Sequence, residues 1–470
     1  MTTASLAPPV RIGKAGIWAL GILALATGAL ESVVTPTLPL LQRELSMTPS
    51  EGALLSITLL LTGAIVAPIA GNLGDRYGGK RIMIRLMSMV CIGGLVSSLA
   101  PNVPVLLLGQ LLQGAMVGAL PLAFILVRKH LPAEESKVAI GVVSGLFVGG
   151  GMVGILAAGP VAEKLSRHWM FALPTIVVIV STIALGMLMP DDLPGESNDI
   201  GLDWPGLVLL SGMLVTLMLL LRWSPDFDSR PLLPSAMAVL MAACVIGWIA
   251  VERRVTSPMV DLRMLVQPAI WSSYVITFAV CLGTSASLYL VPQLFALSGD
   301  GYGFGASATD IGWYLLPGAL TAGLSGPLGG IAARRFGASV AVATGIGVMT
   351  TTFVALAVVH SEIWHLIVAK ALIALGSGAC VTAMVVTTAT SVDRDTTGTA
   401  TSLLLVTRVI GFAVGVQVSG AYLTAGTPSG SDVPAESAFV TGFLIAAAVT
   451  ALALLFVRTL GKGAKENDPH

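Results

Sequence analysis

Charge is scarce in this chain of 470 residues: Asp, Glu, Lys and Arg together supply 11% of it, where a water-soluble domain carries about a quarter. Positive and negative residues balance to a net charge of zero, which excludes a nucleic-acid partner bound by charge. There are only four cysteines, Cys91, Cys244, Cys281 and Cys380. All fall inside apolar runs, without metal-ligand spacing or an extracellular pairing pattern. The five histidines, at 130, 168, 360, 365 and 470, flank such runs or end the chain, so neither a metal nor another cofactor is expected. Gly74 to Lys80 has the outline of a phosphate loop, but Arg81 stands where magnesium requires Ser or Thr and no strand precedes it. ATP hydrolysis is therefore not indicated. Gly301-x-Gly303-x-Gly305 reads as an outer turn.

What the chain has in abundance is apolar length. Hydrophobic residues make up 55% of it, and a membrane-spanning helix needs roughly 20 of them in a row. Fourteen stretches qualify: 16–40, 52–73, 82–99, 103–127, 138–161, 170–189, 204–221, 232–251, 270–295, 310–333, 338–359, 363–386, 398–422 and 439–457. The first is too long for a signal peptide and lacks a small-residue cleavage site, so it is expected to remain as a helix. Lys and Arg concentrate in alternate loops, and the positive-inside rule then places both termini in the cytoplasm of a cell-membrane protein.

An internal repeat organises these spans. Gly71-Asn72-Leu73-Gly74-Asp75-Arg76-Tyr77-Gly78-Gly79-Lys80-Arg81 returns in altered form at Gly330-Ile331-Ala332-Ala333-Arg334-Arg335-Phe336-Gly337. An offset of 259 residues also carries Pro68 onto Pro327 and Ser50-Glu51 onto Thr309-Asp310. Duplicated helical bundles around a midplane site are how many carriers are built. The expectation is an all-α integral membrane protein with two pseudo-symmetric six-helix bundles, 16–195 and 256–458, a two-helix insertion at 196–255, and short tails at 1–15 and 459–470. Tails this short leave a scaffold or sensor role little to work with.

On these residues the chain resembles the major facilitator superfamily, in particular its fourteen-helix drug:proton antiporter branch. Gly71 to Arg81 matches the superfamily's inner-loop signature, and Asp203-Trp204-Pro205-Gly206, Glu252, Pro258 to Arg263 and His168-Trp169-Met170-Phe171 are similar to features of the branch. Three positions depart from it. Glu31 replaces the usual Asp of the first helix, Gln110 stands where helix four carries Arg, and helix five keeps only Gly154 and Gly159 of its Gly-Pro pattern. The resemblance implies a monomeric secondary transporter that exports amphipathic, drug- or antibiotic-like small molecules in exchange for protons. It also implies that Gly71, Asp75, Arg76 and Gly78 gate its rocking motion. The departures leave open the same carrier moving an anionic metabolite, lipid or natural product without standard antiport.

Ionisable groups inside spans mark the candidate site, since each costs about 2.5–3.5 kcal/mol to insert on translocon scales. Of those that fall inside spans, Glu31, Lys370 and Arg408 are the candidates. Glu31 is the candidate proton carrier, competing between proton and substrate; its alternative is a carboxyl near the outer interface. Lys370 either faces a cavity, pairing with Glu31 or an anionic substrate, or snorkels to the outer headgroups. Arg408 retains its charge and needs water or an acid. Gln110, Gln113, Thr284, Gln293 and Gln417, with Ser285 and Ser287, either line the substrate path or bond between helices. Gly145, Gly149, Gly150, Gly151 and Gly154 have the small-residue spacing of a close helix crossing.

Overall fold

The computed structural model describes residues 12–190, 204–223, 232–253, 267–297, 302–391, 397–428 and 433–463. All secondary structure among them is helical: α1 Lys14–Ser32, α2 Val34–Glu44, α3 Pro49–Tyr77, α4 Gly79–Ser98, α5 Val103–Gln113, α6 Ala119–His130, α7 Ala133–Lys164, α8 Arg167–Leu188, α9 Trp204–Trp223, α10 Leu232–Glu252, α11 Pro268–Ala296, α12 Ala308–Phe336, α13 Ala338–Val358, α14 Ile363–Thr390, α15 Thr397–Ala425, α16 Glu436–Leu452 and α17 Leu454–Gly463. A helix satisfies its backbone groups internally, which apolar surroundings demand. Among the described residues, thirteen helices are long and apolar enough to cross a membrane. The expected seventh span, 204–221, forms α9 but stands outside that count. Apolar side chains turned outward, such as Trp313 at 58%, Leu324 at 60% and Val239 at 70% exposure, would be costly in water and suit lipid.

Two expected spans are interrupted. The stretch 16–40 is two helices, α1 and α2, parted at Val33. Pro36 has no N–H to offer the Ser32 carbonyl one turn back, and its ring crowds that carbonyl, so the hydrogen-bond ladder lapses there while Val33 keeps helical dihedrals, φ −59° and ψ −41°. The stretch 103–127 is broken by a 3-10 turn, Gly114–Gly118, between α5 and α6. The last span bends at Ala453, between α16 and α17, without losing its length as a crossing.

The chain divides into two compact units, one of 1–33, 62–154 and 165–202, the other of 34–61, 155–164 and 203–470. In the first, α4 packs on α5 and α8, and α8 on α1. Lys80 closes its base by donating to the Met189 carbonyl at 2.7 Å, a cation on the C-terminal end of α8. In the second, α14 packs on α12 and α13 and α11 on α15 and α16, around fully buried Tyr289, Phe295, Phe353, Phe439 and Phe443, while α9 packs on α10. Here α2 lies against α11 and α12.

Two local geometries recur at the 259-residue offset. Gly78 and Gly337 start α4 and α13 with φ of 96° and 90°, in the left-handed region that favours glycine. The helix starts also match. Thr48 accepts from the Glu51 amide while the Glu51 carboxylate accepts from the Thr48 amide, and Ser307 and Asp310 form the same reciprocal cap. Asp203, Pro258 to Arg263 and Gly301, singled out in the sequence, lie outside the described residues, as do the side chains of Trp204 and Glu252.

Candidate substrate and coupling site

Glu31 is half-buried in the last turn of α1, two residues before the break at Val33. The turn that carries it is held by α7. A Cβ on Gly150 would come within 2.0 Å of the Leu25 carbonyl oxygen, and one on Gly154 within 2.3 Å of that of Ala29. Backbones so close leave no room for a side chain, which fixes the end of α1 just ahead of the interruption. Thr27, one turn before Glu31, is fully buried and donates to the Leu23 and Ala24 carbonyls. It lines a small cleft with Leu20, Leu23, Met83 and Ala123. The cleft is apolar and too small to hold a drug-sized molecule.

Lys370 belongs to α14 in the second unit. Trp364, Val368 and Leu372 form the exposed stripe of that helix, at 60%, 46% and 39%. Lys370 is two residues from Val368, and 3.6 residues per turn put it roughly 200° away, on the opposite face. Snorkelling along the exposed stripe is therefore not the geometry found. Its stem lies on α12, where a Cβ on Gly318 would sit 2.7 Å from Lys370 Cγ. Its Nζ donates to Ser287 Oγ of α11 at 3.3 Å. Ser287 in turn donates its own proton to the Thr284 carbonyl at 2.8 Å. Among the described residues no carboxylate reaches Lys370. Arg408 is exposed on α15, its guanidinium 5.9 Å from the Phe412 ring centre one turn on.

The amides sort into two groups. Gln113 is fully buried and donates to Ser97 Oγ at 2.7 Å and to the Gly93 carbonyl at 3.2 Å, while Gln110 donates to Gln113 at 3.4 Å. Gln113 thereby joins α5 to α4, the commoner fate of polar residues in spans, and Gln110 braces it from within α5. Thr284 returns its hydroxyl to the Val280 carbonyl. Gln293 and Gln417 belong instead to a polar cluster of the second unit. Gln293 donates to Gln42, Gln42 donates to Tyr289 OH at 3.3 Å, Tyr289 donates to the Pro49 carbonyl, and Gln417 donates to Ser50 Oγ at 2.8 Å. In the same unit, Glu163 accepts from the Thr309 amide at 3.0 Å, a carboxylate on the N-terminus of α12. Gln42, Tyr289 and Glu163 escape a search for polar groups at mid-span. Gln42 adjoins Arg43-Glu44 and reads as the edge of a loop, while Tyr289 reads as core.

Of the expected gating residues, Gly78 has the left-handed turn described above. Gly71, Asp75 and Arg76 lie in the closing turns of α3; the side chains of Asp75 and Arg76 are outside the described residues.

Comparison with known proteins places this geometry. The family model of the Major Facilitator Superfamily matches residues 20–303 and 273–469. A uridine/deoxyuridine transporter of Lactococcus lactis is 30% identical over 73% of this chain and 73% of its own. A putative multidrug resistance protein, MdtD, of Salmonella typhimurium is 25% identical over 61% of this chain and 59% of its own. An uncharacterized MFS-type transporter of Mycobacterium tuberculosis is 23% identical over 85% of this chain, which spans 58% of that relative. Among solved structures, a bacterial homolog of the human lysosomal transporter Spinster superposes with a TM-score of 0.69 at 16% identity, covering 95% of this chain and 97% of that one. The nucleoside transporter NupG superposes at 0.66 and 13% identity, over 95% and 99%. At such identities these two structures establish the fold alone. With its apolar helices, its repeated inner turn and the family match over nearly its whole length, the chain belongs to the Major Facilitator Superfamily and is a multi-pass membrane transporter.

Proposed function

We propose that the protein is a secondary active exporter of amphipathic small molecules, drug- or antibiotic-like, driven by proton entry. The observation that carries the reading is the placement of Glu31 at the end of α1, beside a helix interruption. Discontinuous helices are where transporters expose backbone groups and bind coupling ions. A carboxyl there can take a proton from one side and give it up to the other, and a substrate competing for it supplies the exchange. Both termini are cytoplasmic and the working unit is one chain. The halves are 16–195 and 256–458, with 196–255 inserted, and Asp75, Arg76, Gly71 and Gly78 gate the inner side.

The test is efflux from a pump-deficient host screened against toxic amphipaths, with and without a protonophore, and then proton-driven transport in everted vesicles. Glu31→Gln is expected to abolish the proton-driven component and leave exchange of substrate down its own gradient. Unchanged energised transport in Glu31→Gln would end the proposal.

A second reading, movement of a pyrimidine nucleoside by the same carrier, is favoured by the uridine/deoxyuridine relative at 30% identity. Radiolabelled uridine flux in proteoliposomes decides it: flux saturable by deoxyuridine supports a nucleoside, and none above empty liposomes removes it.

A further inference from the structure

We infer that Lys370 and Ser287 form an acceptor-seeking subsite, and that the cargo presents an acidic group, a carboxylate or sulfonate, to it. The inference rests on the exporter reading only for the direction of transport. The argument is one of donor accounting. A lysine ammonium has three N–H donors and accepts nothing. Here one is taken by Ser287 Oγ, whose lone pair is available because its own hydrogen is committed to the Thr284 carbonyl. Among the described residues the other two N–H groups have no partner and no carboxylate balances the charge. A cation inside a span without a counter-ion is costly unless water or an anion meets it.

The surroundings are built to keep it. Gly318 leaves space for the lysine stem on α12, Ser287 holds the head on α11, and the lipid-exposed stripe of α14 lies on the opposite face. A lysine kept only for solubility or anchoring has no need of a glycine groove and a hydroxyl stay on two neighbouring helices. An acidic group meeting Nζ would complete the donor set and the charge together, through charge-assisted hydrogen bonds. A neutral amide of the same shape would supply the acceptor but not the charge.

The experiment uses the full-length protein in nanodiscs and two fluorescent probes that differ only at one end, pyrenebutyrate and pyrenebutyramide. Binding is read by energy transfer from the protein's tryptophans, with empty nanodiscs subtracted. The wild type is expected to bind the carboxylate roughly tenfold more tightly than the amide, the scale of one hydrogen bond to a charged group. Lys370→Gln should equalise the two and Lys370→Arg should keep the preference, with Lys370→Met replacing the Gln variant if that one does not assemble. Equal affinities in the wild type, no binding of either probe, or a preference that survives Lys370→Gln would overturn the inference. An anion preference without proton-driven export leaves the subsite standing and removes the exporter reading.

Discussion

Gly150 and Gly154 hold the carboxyl-bearing end of α1 by contact with backbone oxygens, and a backbone oxygen cannot rotate away from an added methyl. Overpacking of this kind costs about 1–3 kcal/mol. Gly154→Val should therefore lower the thermal midpoint of the detergent-solubilised protein and impair Glu31-dependent transport. Gly149→Ala, with nothing within 4 Å of its Cβ, should leave both unchanged. Equal effects of the two would refute the assignment. The pair also shows what single residues reveal in a sequence. Five glycines share the small-residue spacing, yet spacing alone does not say which ones face a neighbour; Gly145 and Gly149 meet open space. Lys370 and Glu31 were legible because charge inside an apolar run is conspicuous. Gln42 was not, because beside Arg43 and Glu44 it looks like the rim of a loop.

Helix starts and stops were legible to different degrees. The 259-residue repeat rests on glycines and caps, and the structure gives a reason for each: Gly78 and Gly337 take the same left-handed turn, and Thr48 and Ser307 cap the same way. Forcing a side chain into the left-handed region costs about 1–2 kcal/mol, and losing an N-cap about 0.5–2 kcal/mol. Gly337→Ala and Ser307→Ala are each expected to destabilise by those amounts in denaturation followed by circular dichroism. No change in Gly337→Ala would refute the turn's role. Breaks were harder to read. Pro36 accompanies one, but Pro160, Pro174, Pro292, Pro317 and Pro327 sit within uninterrupted helices, and the 3-10 turn at Gly114–Gly118 contains no proline at all. Neighbouring helices can re-satisfy the groups a proline frees, so proline alone does not foretell an interruption.

At the scale of the molecule, composition alone announced a many-spanning membrane protein, because apolar length and scarce charge leave few other folds. Alternating access requires that contacts made in one state be broken in the next. The Gln42–Gln293 contact joins α2 to α11 within the second unit and offers such a contact to test. Cysteines at 42 and 293, joined by a short bifunctional thiosulfonate, are expected to arrest transport, with full recovery on reduction. Undiminished transport by the cross-linked protein would show that this contact persists throughout the cycle.

The 3-10 turn at Gly114–Gly118 has a further consequence. The counterpart of this span at the 259-residue offset, α14, runs unbroken from Ile363 to Thr390. Mechanical compliance is thus unequally shared. The span of Gln110 and Gln113 carries a 3-10 joint, a geometry that often marks a hinge, whereas the span of Lys370 is one unbroken helix. If strain from a tightly held cargo is released anywhere, it will be released first at the joint.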